Sequence, residues 1–267
     1  MLRDITIGQY YPTDSWIHRL DPRVKIVSTF VFIIALFIAN RYIGYALTFL
    51  FLACIIAISK VPVKFMLKGL KAIFVIILIT VALNIFMTPG DTIIWQYKSL
   101  RITGEGLYLA GLMALRLIFL IIGSSILTLT TSPIQLTDGI ESILKPFKKV
   151  GIPAHEIAMM MTIALRFIPI LLEETDKIMK AQMARGADFE SGGGIVKRAK
   201  SLIPLLVPLF ISAFRRADEL AMAMEARCYR GGENRTRMKQ LVIEKRDYVA
   251  MAVMIFFTSA MILIRFI

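Results

Sequence analysis

The run YIGYALTFLFLACIIAIS, residues 42–59, contains no charged side chain. As a helix rising about 1.5 Å per residue it is about 27 Å long, close to the roughly 30 Å of a bilayer's hydrocarbon core. Three further charge-free runs accompany it, Ala72–Gly90, Leu117–Thr137 and Tyr248–Ile264, and a shorter one, Ile26–Asn40, has apolar flanks that extend it. With 57% hydrophobic residues among 267, the chain reads as an all-α, polytopic membrane protein rather than a soluble domain.

Working outward, about five transmembrane helices are expected: about Val24–Ala39, Tyr42–Ser59, Leu70–Met87, Glu105–Thr130 and Asp247–Arg265. Asn40-Arg41 makes a tight outer hairpin. Lys60, Lys64, Lys68 and Lys71 crowd the next connection, and Lys145, Lys148 and Lys149 follow the fourth span. With Arg19, Arg23 and Lys25 before the first span, the positive-inside rule puts the N-terminus in the cytoplasm. The loop Thr88–Gly104, with Pro89-Gly90, Trp95 and Tyr97, reads as external, with room for a short hairpin. MLRDITIGQYYPTDS at the N-terminus lacks a basic-then-apolar signal peptide, so the first span is expected to serve as its own insertion signal.

The net charge is +13, and residues 133–247 hold 19 of the 32 Lys+Arg and 14 of the 19 Asp+Glu. Both signs interleave there, which fits a helical docking surface better than a nucleic-acid or anionic-lipid face. Thr131-Ser132-Pro133 caps a short amphipathic helix, about Pro133–Lys148, which Gly151-Ile152-Pro153 breaks. Two long half-apolar helices follow, about Ala154–Ala187, kinked at Pro169, and about Ile195–Arg230, joined by the connector Ser191–Gly194. Both are expected to lie at the inner membrane face. The organisation is then 1–130 (N-terminal segment and four spans), 131–246 (cytoplasmic or interfacial helices) and 247–267 (last span).

Each long helix closes on a similar pattern, Ala184-Arg185-Gly186 in the first and Ala226-Arg227-Cys228 in the second. Glycine just past a helix end supplies the left-handed cap. An arginine at that end either complements its own helix dipole or presents a planar charged fork to a carboxylate on a partner. Arg116, inside the fourth apolar stretch, is by position a functional candidate, with snorkelling or pairing to a backbone carbonyl as its structural alternative. Gly106, Ala110 and Ala114 on the same span, and Ala213, Ala217 and Ala221 on the second long helix, are spaced for close helix approach. Cys54 and Cys228 suggest neither a disulfide nor a zinc site. His18 has no second metal-ligating neighbour and reads as structural or interfacial. No catalytic residue and no metal site is expected: there is no Walker A pattern, and His155-Glu156 lacks the second His of a zinc helix.

Together, Ser15-x-x-His18-x-Leu20-Asp21-Pro22-Arg23-x-Lys25, Thr130-Thr131-Ser132-Pro133, Ala164-Leu165-Arg166-Phe167-Ile168-Pro169 and the two Ala-Arg motifs make the chain resemble, over nearly its whole length, the transmembrane T component of energy-coupling factor (ECF) transporters. The resemblance implies a non-catalytic subunit of an ABC transporter complex in the cell membrane. Two ABC-type ATPase subunits, which carry ATP and Mg, would power it, and a separate integral-membrane S component would bind the vitamin or metal ion. It implies that Ala184, Arg185, Gly186 and Ala226, Arg227, Cys228 dock one ATPase each, the long helices acting as coupling helices. Asp21, Arg23, Arg116, Arg166 and Pro169 are the structural or coupling candidates. No cofactor is expected in this chain itself. Cys228 stands where the second motif often ends in Gly, so the helix is expected to continue past Arg227 and end at Gly231-Gly232. Met-rich surfaces would suit one scaffold serving several S components, or simply fill a core.

Two other readings compete. A stand-alone permease would carry solute through its own helices with Arg116 as the binding charge, and would bind substrate when isolated. A membrane-embedded enzyme would need clustered catalytic groups, which the sequence does not offer. The scaffold reading leads.

Overall fold

Asp21 starts the first helix, and it does so by a local rule. Its carboxylate accepts from the Arg23 backbone N–H at 2.8 Å, and Pro22 occupies the first helical position. This cap satisfies one of the orphan donors of a helix start, a contribution of about 1 kcal/mol. In a computed structural model the protein is described at residues 10–89, 92–97, 100–151, 153–187, 195–231 and 240–266. The element order is α1 (Pro22–Ile38), α2 (Tyr42–Ser59), α3 (Val63–Met87), β1 (Ile93–Tyr97), β2 (Leu100–Thr103), α4 (Gly104–Thr130), α5 (Pro133–Leu144), a 3₁₀ segment Lys145–Val150, α6 (Ala154–Ala184), α7 (Ile195–Ala226) and α8 (Lys245–Phe266). The connector Ser191–Gly194, the N-terminal nine residues, Gly90 and Gly232 lie outside the described residues.

The chain forms two units. The first comprises residues 8–143 and 240–267, so the C-terminal helix packs with the N-terminal ones. α1 lies against α4 and α8, α2 against α4 and α8, and α3 along α4. Its core is aromatic and aliphatic: Phe32, Leu36, Tyr45, Leu52, Phe119, Leu129, Phe257 and Met261 are buried. Phe51 stacks on Phe257 with ring centroids 4.3 Å apart, and Phe32 stacks beside both. The outward positions are as apolar as the core, for example Phe30 and Ile34 on α1, Phe49 and Leu50 on α2, and Ile255 and Phe256 on α8. Such contiguous exposed apolar surface suits lipid, not water. The expected external loop folds as an antiparallel hairpin, with Gln96 opposite Arg101 and Tyr97 opposite Leu100. Thr103 ends it and caps α4 by accepting from Gly106 N–H at 3.1 Å.

The second unit contains residues 144–239, in which α6 packs on α7. α6 runs on through Pro169 and α7 through Pro204 and Pro208. In the first unit, α5 opens as expected after Ser132, whose hydroxyl accepts from Gln135 N–H while Gln135 Oε1 accepts from Ser132 N–H. This is a reciprocal capping box.

Among the described residues, α2, α4, α6 and α8 are each long and apolar enough to cross a membrane, and α3 makes a fifth if its halves, Val63–Lys71 and Ile73–Met87, bent by 59°, form one span. The number agrees with the expected five, but the set differs. α1 has 17 residues, about 26 Å of rise and one residue fewer than α2, which leaves it at the margin of that length. Its length is fixed by the Asp21 cap and by the extended backbone at Ala39. α6, expected at the interface, contains a crossing-competent run because its acidic residues after Glu156 begin only at Glu173. α3 starts at Val63, earlier than the expected span, and its first half places Lys64, Lys68 and Lys71 on exposed positions.

Gly123 on α4 marks the closest helix approach in the first unit. A β-carbon there would come within 2.3 Å of the Phe32 ring, which is buried beside the stacked Phe51 and Phe257 rings. Gly123→Ala is therefore expected to cost about 1–3 kcal/mol by overpacking. The loss should appear as a lower thermal midpoint in detergent and be partly recovered by Phe32→Leu.

Candidate docking site

The two Ala-Arg patterns both end helices, and they end them in the same way. At the end of α6, Arg185 is the C-cap, Gly186 N–H donates to Met183 O and Ala187 N–H donates to Gln182 O, both at 3.0 Å. At the end of α7, Cys228 N–H donates to Glu225 O at 2.9 Å and Tyr229 N–H to Met224 O at 3.0 Å. Position by position these are the same Schellman closure, with arginine at the C-cap and the next residue left-handed. Gly186 has φ +85° and Cys228 has φ +54°.

This corrects one expectation. α7 does not continue past Arg227 to Gly231-Gly232; it stops at Ala226, and Cys228 itself takes the left-handed conformation. The paired backbone hydrogen bonds to Glu225 and Met224 offset what the β-carbon costs there. Glycine carries no such cost.

Arg185 and Arg227 are exposed, and neither side chain has a hydrogen-bond or ion partner among the described residues. α6 and α7 meet where Arg216 Nη2 lies 3.9 Å from Glu174 Oε2. Glu174 stands ten residues before Ala184, and Arg216 ten before Ala226. Each arginine therefore extends about 15 Å of helix beyond the same contact. The site is a symmetric pair of arms ending in free guanidinium forks. Arg166 and Pro169 are exposed on α6, away from both arms' ends. Ala217 and Ala221 of the small-residue stripe are exposed as well.

Asp21 and Arg23 belong to a different cluster, in the first unit. Arg23 forks onto Asp21, with Nη2 to Oδ2 at 2.8 Å and Nε to Oδ1 at 3.1 Å, and Nη2 also donates to Leu241 O. Asp247, buried, was not singled out by the sequence. Its Oδ1 accepts from Asp21 N–H and its Oδ2 from Glu244 N–H, each at 2.8 Å. Lys25 is also buried, and its ammonium donates to His18 O at 3.1 Å and Thr130 O at 2.9 Å. Two acids and two bases thus balance, as buried charges must. The signal for Asp247 was present: an acid at the third position of a helix after a polar stretch, where it can reach back to the N-cap N–H.

Arg116 takes its structural alternative. It donates to Ala39 O at 2.9 Å and to Tyr45 Oη at 3.0 Å, with its guanidinium carbon 5.4 Å from the centre of the Phe37 ring. It closes the end of α1 against α2 and α4.

His18 is half-buried. Its Nδ1 pairs with Ser15 Oγ at 2.7 Å and its Nε2 with Tyr11 O at 3.1 Å. Because Tyr11 O can only accept, Nε2 carries the hydrogen and Nδ1 accepts from the serine in the neutral ring. Burial holds the His18 pKa below the ordinary 6.5.

The architecture is that of an all-α, polytopic membrane protein with two exposed helix-end arginines and no metal-ligating cluster among the described residues. Comparison with known proteins gives the family. The profile described as CbiQ, cobalt transport protein, matches residues 13–238. The chain is 62% identical over 251 residues to the energy-coupling factor transporter transmembrane protein EcfT of Clostridium kluyveri, covering 94% of this chain and 93% of that one. It is 57% identical over 267 residues to the protein of the same name from Ruminiclostridium cellulolyticum, covering 100% and 99%. The chain belongs to this family of energy-coupling factor transporter transmembrane proteins.

Two outcomes follow from the geometry. Since folding keeps His18 neutral, its contribution is complete above pH 6.5 and is lost as pH falls through the depressed pKa, where the unfolded chain binds the extra proton. Thermal midpoints measured from pH 7.5 to 5 should fall more steeply for wild type than for His18→Gln. Cys228→Gly should stabilise the end of α7 by about 1 kcal/mol, because it removes the β-carbon from a left-handed position. Cys228→Val should destabilise it, both read by thermal unfolding in detergent.

Proposed function

We propose that this chain is the scaffold and energy-transducing subunit of an ECF-type importer, with Arg185 and Arg227 each docking one ABC-type ATPase subunit. The observation that carries this reading is the pair of helix closures with the same hydrogen-bond pattern, each presenting an arginine at the C-cap whose side chain has no partner among the described residues. A guanidinium held at a fixed backbone geometry suits a carboxylate-lined groove, since its donors match both oxygens. Two equal arms of about 15 Å beyond one contact suit two equivalent partners. When ATP draws the ATPases together, the arms would be displaced and α6 and α7 would move with them. The exposed apolar face of α7, including Ile203, Val207 and Phe210, would pass that movement to an integral-membrane S component that holds the vitamin or metal ion. ATP and Mg would belong to the partners, and the N-terminus would lie in the cytoplasm of a cell-membrane protein.

The stand-alone permease has less support, because the charge it needed is engaged: Arg116 is already bound to Ala39 O and Tyr45 Oη.

Co-purification with the cognate ATPase pair from detergent tests the reading. Arg185→Glu and Arg227→Glu should each weaken retention of one ATPase, by about 2–5 kcal/mol or roughly 30-fold or more if the arginine is a buried, charge-paired contact. The double variant should retain neither while remaining folded by size exclusion. Retention of both ATPases by the double variant would sink the docking role.

A further inference from the structure

A cavity of about 450 Å³ opens among α1, α2, α4 and α8, within the first unit. Its walls are apolar, with Phe51, Ile55 and Ile58 from α2, Leu127 from α4 and Val253 from α8. Beyond it lies a second, polar hollow lined by Asp14, Arg19, Lys60 and Arg246. Trp16 and Ile58 line both, so the two share a wall.

The polar hollow has unsatisfied positive character. Arg19 is neutralised by its ion pair with Asp14. Arg246 spends one terminal nitrogen on Glu244 at 2.8 Å, yet its Nε is buried with no hydrogen-bond partner. Lys60 is exposed at the end of α2, in a left-handed conformation; its side chain makes no hydrogen bond or ion pair among the described residues, and its charge acts only at longer range on Asp14, which Arg19 already pairs. One uncompensated charge and one buried unmatched donor therefore face the hollow. An unpaired buried donor is costly, and an acceptor placed against it would relieve that cost.

We propose that this compartment binds one anionic phospholipid, an acyl chain filling the apolar cavity and the phosphate bridging Lys60 and Arg246. The arrangement repeats the layering of a bilayer: apolar walls at depth, an indole at the boundary, and cations at headgroup level. A single phosphate charge matches the single uncompensated lysine and accepts from Arg246 Nε. A transmembrane helix of another subunit would fill the apolar part, but its apolar surface offers no acceptor for either donor. Bound there, the lipid would brace α2 and α8 against α1 without touching either docking arm's arginine.

The full-length protein in nanodiscs with equal phosphatidylglycerol and phosphatidylcholine, released into detergent and read by native mass spectrometry, provides the test. Wild type should retain phosphatidylglycerol in preference to phosphatidylcholine. Lys60→Gln and Arg246→Gln should each lower that preference about fivefold, as expected for one cation near an anionic headgroup. Ala250→Trp, which intrudes on the cavity wall, should abolish retention, while Ile255→Trp on the outward face of α8 should not. Equal retention of the two lipids by wild type would overturn the proposal. A photo-crosslinking benzoylphenylalanine in place of Cys54, which lines the cavity, guards against variants that fail to fold. In the intact complex in phosphatidylglycerol vesicles it should yield a lipid adduct, and an adduct to a protein helix instead would equally overturn the proposal.

Discussion

One carboxylate joins the two ends of the membrane unit. Asp247 accepts from the N-cap N–H of its own helix and from the N–H of Asp21, the N-cap of α1. Two helix starts, each with a partial positive charge, thus share one buried anion. Asp21 in turn holds Arg23, which reaches Leu241 O just before α8, and Lys25 ties the last residue of α4. In a unit whose inside and outside are both apolar, the hydrophobic effect gives little reason for one helix arrangement over another. A neutral, fully bonded charge cluster does, because each partner is costly to leave alone.

The two helix-end arms depend on a different constraint, the geometry of a helix end. A Schellman closure fixes where the C-cap side chain starts and in which direction the backbone leaves. Using it twice gives two arginines equivalent local settings without any symmetry in the surrounding sequence. The Glu174–Arg216 contact sits at matching distances from the two ends, so a displacement at either tip has the same lever length. The rest of the α7 arm is largely exposed, while the α6 arm alternates exposed and half-buried positions.

Much of the fold was legible because a membrane limits the choices. Charge-free runs of sufficient length can only be helices there, and the starts of α1 and α5 followed from Asp21-Pro22 and Ser132-Pro133. The reading failed where length or charge distribution was marginal. α1, one residue shorter than α2, sits at the margin because its two ends are fixed, and α6 gains a crossing-competent run because most of its acids are gathered in one half. The two helix-closing arginines were legible from the repeated Ala-Arg pattern. Cys228 was not, since the residue rule reserves its backbone conformation for glycine and only the bonds to Glu225 and Met224 hold it there.

The sequence by itself determined the class of the protein, most of its long apolar helices and the two helix-closing arginines, since these rest on local composition and spacing. The tertiary structure decided which charges meet. Asp247 lies 226 residues from Asp21 along the chain, and Arg116 is 77 from the carbonyl it binds. No local pattern encodes such pairings; they exist because buried charges and donors must find partners, and only the packed helices bring those partners within reach.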